Sequence, residues 1–107
     1  MVTGDNTGTM ADFTAALRLK PNSGEAYVQR GLVFNKLGDQ RQAMADFDQA
    51  LRVDSKESGA YFGRAMVYDQ QGNRRAAVAD YKQFLQVSAR EDELTAQARA
   101  YVSKYGR

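Results

Sequence analysis

The chain has 107 residues, 43% of them apolar, enough for one small domain to bury a core without staples. It contains no Cys and no His, which removes thiol nucleophiles, imidazole bases, disulfides and the usual nitrogen and sulfur metal ligands together. Fifteen basic and 13 acidic residues leave a formal charge of +2 with the signs interspersed, a pattern that argues against nucleic acid as partner.

Met1 to Met10 lacks the basic start and apolar centre of a secretory leader, and no apolar run approaches the roughly 18 residues that cross a bilayer. The expectation is a soluble chain without membrane insertion. Its compartment stays open, with cytoplasm as the default, because a sequence without cysteine suits reducing and oxidising surroundings alike.

The first segment, residues 4–23, becomes readable when it is set beside residues 38–57. Gly4-Asp5 and Met10-Ala11-Asp12-Phe13 return 34 residues later as Gly38-Asp39 and Met44-Ala45-Asp46-Phe47. The same offset lays residues 24–57 over 58–91 with 13 identical positions; chance gives roughly two. Residues 4–23 are therefore half of a repeat that is followed by two full copies. Pro21 breaks the chain after this first helix, and Asn22 stands before Glu25 at capping-box spacing.

The next helix carries Tyr27, Arg30, Gly31 and Phe34 at i, i+3, i+4 and i+7, a single packed stripe. Gly38 supplies the left-handed residue that ends it, and Asp39 immediately after can cap its successor. In that successor Ala43, Phe47 and Ala50 form one line, with small residues where two backbones approach. Asp54 before Glu57 repeats the capping-box spacing. The second copy runs the same way through Tyr61, Arg64, Ala65 and Tyr68, the turn Gly72-Asn73, and then Ala77, Tyr81 and Phe84, with Phe84 in place of the small residue at Ala50. Ser55 and Ala89 stand at the repeat positions equivalent to Pro21.

The last segment, residues 92–107, follows a helical stripe of Leu94, Ala98, Tyr101, Val102 and Tyr105, with Glu91, Asp92 and Glu93 at its start and Lys104 and Arg107 near its end. It reads as a capping helix whose exposed side holds Thr95, Gln97, Arg99 and Ser103. At the other end Phe13 and Ala16 present a face that a preceding helix normally covers. Candidates to cover it are residues of a longer protein, a second copy, or a foreign partner.

This ordered set of aromatic, small and glycine positions resembles the tetratricopeptide repeat family. The resemblance implies an all-α fold of helix-turn-helix repeats in a right-handed superhelix, an α-solenoid, closed by a C-terminal capping helix. It implies one domain over residues 1–107: a half repeat at 4–23, repeats at 24–57 and 58–91, and the cap at 92–107.

In that family the first helix of each pair lines a groove that binds peptides or helices of partner proteins. The matching positions here are Glu25, Val28, Gln29, Leu32, Asn35 and Lys36, then Gly59, Phe62, Gly63, Met66, Asp69 and Gln70. Val28, Leu32, Phe62 and Met66 stand at i and i+4 in their helices, so they either floor such a groove or pack between helices. The same apolar residues argue against the Lys and Asn clamp with which some relatives hold a terminal carboxylate. The functional expectation is a non-catalytic protein-interaction scaffold whose partner is another protein or peptide, without cofactor or metal. The alternatives are a homo-oligomerising module joined through the uncovered helix face, or an accessory domain taken from a longer protein.

Four further patterns have simpler readings than the chemistry they suggest. Arg30 and Arg64 recur in step with Asp46 and Asp80, and with Asp12 earlier, which predicts each Arg forked onto an Asp of its own or the preceding repeat. Asp5-Asn6-Thr7-Gly8-Thr9 is similar to the phosphorylated aspartate loop of transport ATPases but lacks the strand and large domain that loop needs, so Asp5 reads as a cap like Asp39. Glu91-Asp92-Glu93 suits a helix dipole before it suits a cation. The tyrosines are consumed by the repeat core before they can stack bases.

Overall fold

The computed structural model describes residues 4–88 and 91–106, with side chains from Met10 onward. Six helices are found among the described residues: α1 (Gly4–Leu19), α2 (Gly24–Lys36), α3 (Gln40–Val53), α4 (Ser58–Gln70), α5 (Arg74–Val87) and α6 (Glu93–Tyr105). No strand occurs among them. The helices group into two compact units divided between Ser55 and Lys56.

In the first unit α2 pairs with α3, and α1 lies against α2. The α2–α3 turn is as short as the sequence predicts. Gly38 takes φ +87°, where an L side chain is strained, so its N–H reaches Asn35 O and the Asp39 N–H reaches back to Phe34 O. Asp39 then begins α3 by accepting from the Gln42 N–H at 3.2 Å. Phe47, Ala43 and Ala50 of α3 are fully buried, and Leu17 ties α1 into the same unit.

The second unit repeats this design. Gly72 has φ +78°, the Asn73 N–H reaches Tyr68 O, and the Asn73 side chain accepts from Ala76 N–H. Its core adds rings. Phe62 meets Tyr81 and Phe84 edge-on at 5.3 and 5.0 Å, and Tyr81 leads through Tyr101 to Tyr105 at 4.8 and 4.7 Å. Ala60, Ala65, Ala77 and Ala98 let these helices approach closely.

Four local expectations need correction. Ser23, not Asn22, caps α2, accepting from Ala26 N–H at 3.1 Å, because Pro21 and Asn22 are used by the turn itself. Glu57, not Asp54, stands at the start of α4, since Asp54 still donates its N–H to Ala50 O at the end of α3. Helix α1 begins at Gly4, so Asp5 lies inside the helix instead of capping it.

The fourth correction concerns α6, where Thr95 is only 2% exposed while Leu94 is 42% exposed. Asp92 accepts from the Leu94 and Thr95 N–H groups, and the Thr95 hydroxyl accepts from Asp92 N–H while donating to Asp92 O. A hydroxyl satisfied in this reciprocal box can be buried without loss, which turns the helix so that Thr95, Ala98 and Tyr101 face inward. The expectations on Ala89 and Arg107 lie outside the described residues.

Candidate functional site

The packed stripe of each first helix is fixed by an ion pair. Arg30 Nε donates to Asp46 Oδ2 and Nη2 to Oδ1, both at 2.8 Å, and Arg64 holds Asp80 in the same fork at 2.8 and 2.9 Å. Asp46 and Asp80 are buried. A lone carboxylate there would be expensive, so the fork is what permits its burial. The hydrogen bond to Asp46 also raises the Arg30 pKa. Arg30 lies 5.8 Å from the Tyr27 and Phe34 ring centres, and Arg64 the same distance from Tyr61. These arginines are committed to the hairpins, each within its own repeat, as the sequence predicts. Asp12, the α1 counterpart of Asp46 and Asp80, is exposed.

With Tyr27 and Phe34 turned to α3, the opposite side of α2 is left for other work. Glu25, Gln29, Leu32 and Lys36 fall at i, i+4, i+7 and i+11, a continuous stripe. Glu25, Gln29 and Lys36 are exposed and Leu32 is half-buried. Asn35, beside this stripe, keeps its amide oxygen buried without a hydrogen-bond partner. Val28 is different, at 4% exposure.

On α4 the counterpart positions are more heavily used by the unit itself. Phe62 is 6% exposed among Tyr81 and Phe84, Gly63 is buried, and Met66 packs half-buried against the same cluster. The groove-floor reading is therefore corrected for Val28 and Phe62: they are core. The physical reason is plain for Phe62, because Phe84 extends far enough to meet its ring. Gly59 is half-buried, and Asp69 and Gln70 are exposed. Asp69 accepts a hydrogen bond from the Tyr101 hydroxyl of α6 at 2.8 Å. Burial first, and that hydrogen bond second, push the Tyr101 pKa up to about 12.

Phe13 is half-buried and Ala16 exposed, and with Ser23, Glu25, Ala26 and Gln29 they line an open hollow of about 240 Å³ between α1 and α2. The α1 face that carries Phe13 and Ala16 thus meets the α2 stripe at Glu25 and Gln29. At the other end Glu91 accepts from Arg99 at 2.6 Å, which lowers its pKa, and Asp92 is the α6 cap. Among the described residues no three acidic side chains gather as metal ligands, and no helix is long and apolar enough to cross a membrane.

A family model for the tetratricopeptide repeat matches residues 24–57 and 58–90. The chain belongs to the tetratricopeptide repeat family. Among solved structures, this tetratricopeptide chain superposes on MamA with TM-score 0.72 and 22% identity, over 78% of its own length and 48% of MamA. It therefore spans about half of that protein. The Arabidopsis OM64 TPR domain gives 0.78 at 23% identity, covering 89% of this chain and 78% of the other. The first TPR of Spaghetti (RPAP3), bound to the HSP90 peptide SRMEEVD, gives 0.80 at 17% identity, covering 97% and 82%. These likenesses establish the all-α helical-repeat fold. A comparison with curated proteins gives no match.

Sequence reasoning missed the Tyr101–Asp69 bond and the ring contact of Phe62 with Phe84. The second had a signal. From one repeat to the next Val28 becomes Phe62 and Ala50 becomes Phe84, two enlargements that only make sense if the residues touch.

Proposed function

We propose that this tetratricopeptide chain is a non-catalytic scaffold that holds a peptide or short helix of a partner protein along the outward stripe of α2. The observation that carries this reading is that Glu25, Gln29 and Lys36 are exposed on one line with the half-buried Leu32, while the rings and the arginine of the same helix are spent on its own hairpin. A stripe with an apolar centre and polar flanks suits a partner that supplies one apolar anchor and several hydrogen bonds. The peptide bound by the Spaghetti repeat domain supports the same class of ligand.

The test is capture of a partner by the native chain and by a Gln29→Arg/Leu32→Arg variant, both checked for equal helicity. Loss of the same partner from the variant is the expected result. Retention of that partner by a folded variant sinks the proposal. Phe62→Glu is unsuitable for this purpose, because it places a charge inside the ring cluster and unfolds the unit it is meant to probe.

A second reading rests on the hollow lined by Phe13, Ala16 and Gln29, against which a second copy would pack. Light scattering across a concentration series decides it: a mass that rises with concentration, and falls back in an Ala16→Glu variant, supports self-assembly.

A further inference from the structure

The second unit has a hollow of about 400 Å³ on a face remote in sequence from the first-helix stripe, lined by Arg75, Val78, Ala79 and Lys82 of α5 and by Tyr105 and Gly106 at the end of α6. The four α5 residues fall at i, i+3, i+4 and i+7, so they form one helix face with an apolar centre and a cation at each end. Two more cations flank the ring wall. The Arg74 guanidinium lies 4.3 Å from the Tyr105 ring centre and Lys104 Nζ lies 5.2 Å from it. Arg75 and Lys82 are exposed, and neither has a carboxylate partner among the described residues.

Two carboxylates of this unit are engaged elsewhere. Asp80 of α5 is buried under Arg64, and Asp69 accepts from the Tyr101 hydroxyl. The cationic face is not a requirement of the repeat. One repeat earlier, Arg74 and Lys82 correspond to Gln40 and Asp48, so the equivalent face of α3 is balanced. Arg74 and Arg75 also occupy the first turn of α5, where the helix dipole disfavours positive charge, and only Tyr105 compensates Arg74. Arg75 has no such compensation among the described residues, and a local rule broken without an internal gain points to something outside the chain.

We infer that this α5–α6 hollow docks an acidic peptide segment of a partner protein, with one apolar side chain of that segment seated on Val78, Ala79 and Tyr105 and its carboxylates facing Arg75, Lys82 and Lys104. Charge complementarity selects the ligand class, and the apolar centre distinguishes it from a bare anion site. A nucleic-acid strand fits less well. Cations already lie against the Tyr105 ring that a base would need for stacking. The wall is closely set: a Cβ on Gly106 would come within 2.5 Å of Val102 O and 3.2 Å of Val78 Cγ1.

The experiment uses the whole chain and a fluorescein-labelled probe peptide of sequence Glu-Asp-Glu-Leu-Phe-Glu-Asp-Glu, read by anisotropy. Two control probes are the same peptide with Gln and Asn for its acids and a single-stranded oligouridylate of equal length. Saturable binding of the acidic probe is expected, weakened roughly tenfold or more by Arg75→Glu/Lys82→Glu and steeply by added salt. Arg41→Glu on α3, at the position equivalent to Arg75, leaves it unchanged, which separates this site from the matching face of the preceding repeat. Helical circular dichroism verifies that each variant is folded. Absence of saturable binding, equal binding of the neutral peptide, tighter binding of the oligouridylate, or full binding by a folded Arg75→Glu/Lys82→Glu chain each overturns the inference.

Discussion

Gly31 of α2 and Phe47 of α3 meet so closely that a methyl group has no room between them: a Cβ on Gly31 would lie 2.7 Å from Cε1 of the Phe47 ring and 3.0 Å from Cδ1. Phe47 is completely buried, so its ring has nowhere to retreat. Two effects oppose each other in Gly31→Ala. Helix propensity favours alanine by about 1 kcal/mol, whereas overpacking a closed core costs about 1–3 kcal/mol. The clash wins, and a net loss of about 1 kcal/mol is expected in urea unfolding. Ala65 occupies the same place in the next repeat, so Ala65→Gly tests the other side: there the methyl fills its space, and its removal also destabilises.

Gly72 is required for a different reason. Nothing lies within 4 Å of where its Cβ would be, but its φ of +78° strains any L side chain. Gly72→Ala is therefore expected to cost about 1–2 kcal/mol through backbone strain alone. A D-alanine at the same position, introduced by ligation, restores the native stability. If L- and D-alanine behave alike in thermal melts, the strain argument fails.

The Arg30–Asp46 fork predicts an asymmetry. Arg30→Leu strands a buried carboxylate, since the Asp46 side chain is 6% exposed, and is expected to cost about 3–5 kcal/mol. Asp46→Ala leaves a guanidinium whose side chain is 22% exposed and can reach water, so its cost is nearer 2 kcal/mol. The double change Arg30→Leu/Asp46→Ala recovers much of the Arg30→Leu loss, because no buried charge is left unpaired. Chemical denaturation of the four chains reads out the cycle, and equal costs for the two single changes would contradict the burial argument. The corresponding Arg64→Leu chain, where still folded, keeps its ligand affinity, because that arginine serves the hairpin.

What made this much readable from sequence is that a 34-residue repeat carries its own geometry. Gly38 and Gly72 fix where the first helices stop, Asp39 and Asn73 where the second begin, and the joint recurrence of Arg and Asp reveals the ion pair before any coordinate is seen. Side-chain fate on the remaining faces was less legible. The i, i+4 spacing of Val28 and Leu32, or of Phe62 and Met66, says which residues share a helix face but not how deeply each is covered. Phe62 is claimed by Phe84 and Asp69 by Tyr101, partners distant in sequence. Thr95 was misplaced because a polar residue was read as exposed, although its hydroxyl is satisfied by the backbone of its own cap.

The Tyr101–Asp69 bond links α6 to the end of α4, and it predicts a pH dependence whose sign follows from the raised phenol. An unfolded tyrosine loses its proton near pH 10, whereas Tyr101 in the folded unit holds it up to about 12. The folded state therefore binds the proton more tightly, so the stabilisation is fully present below pH 10 and is lost as pH rises from 10 to 12. Tyr101→Phe keeps the ring between Tyr81 and Tyr105 but removes the hydroxyl. The native chain is expected to exceed this variant by about 1 kcal/mol at pH 7, solvent screening at this partly exposed bond holding the gain below the full equivalent of the shift. The difference should shrink toward zero by pH 12. Urea unfolding of both chains across pH 7 to 12 measures it, and a gap that stays constant or widens with pH would show that the hydroxyl does not anchor α6 through Asp69.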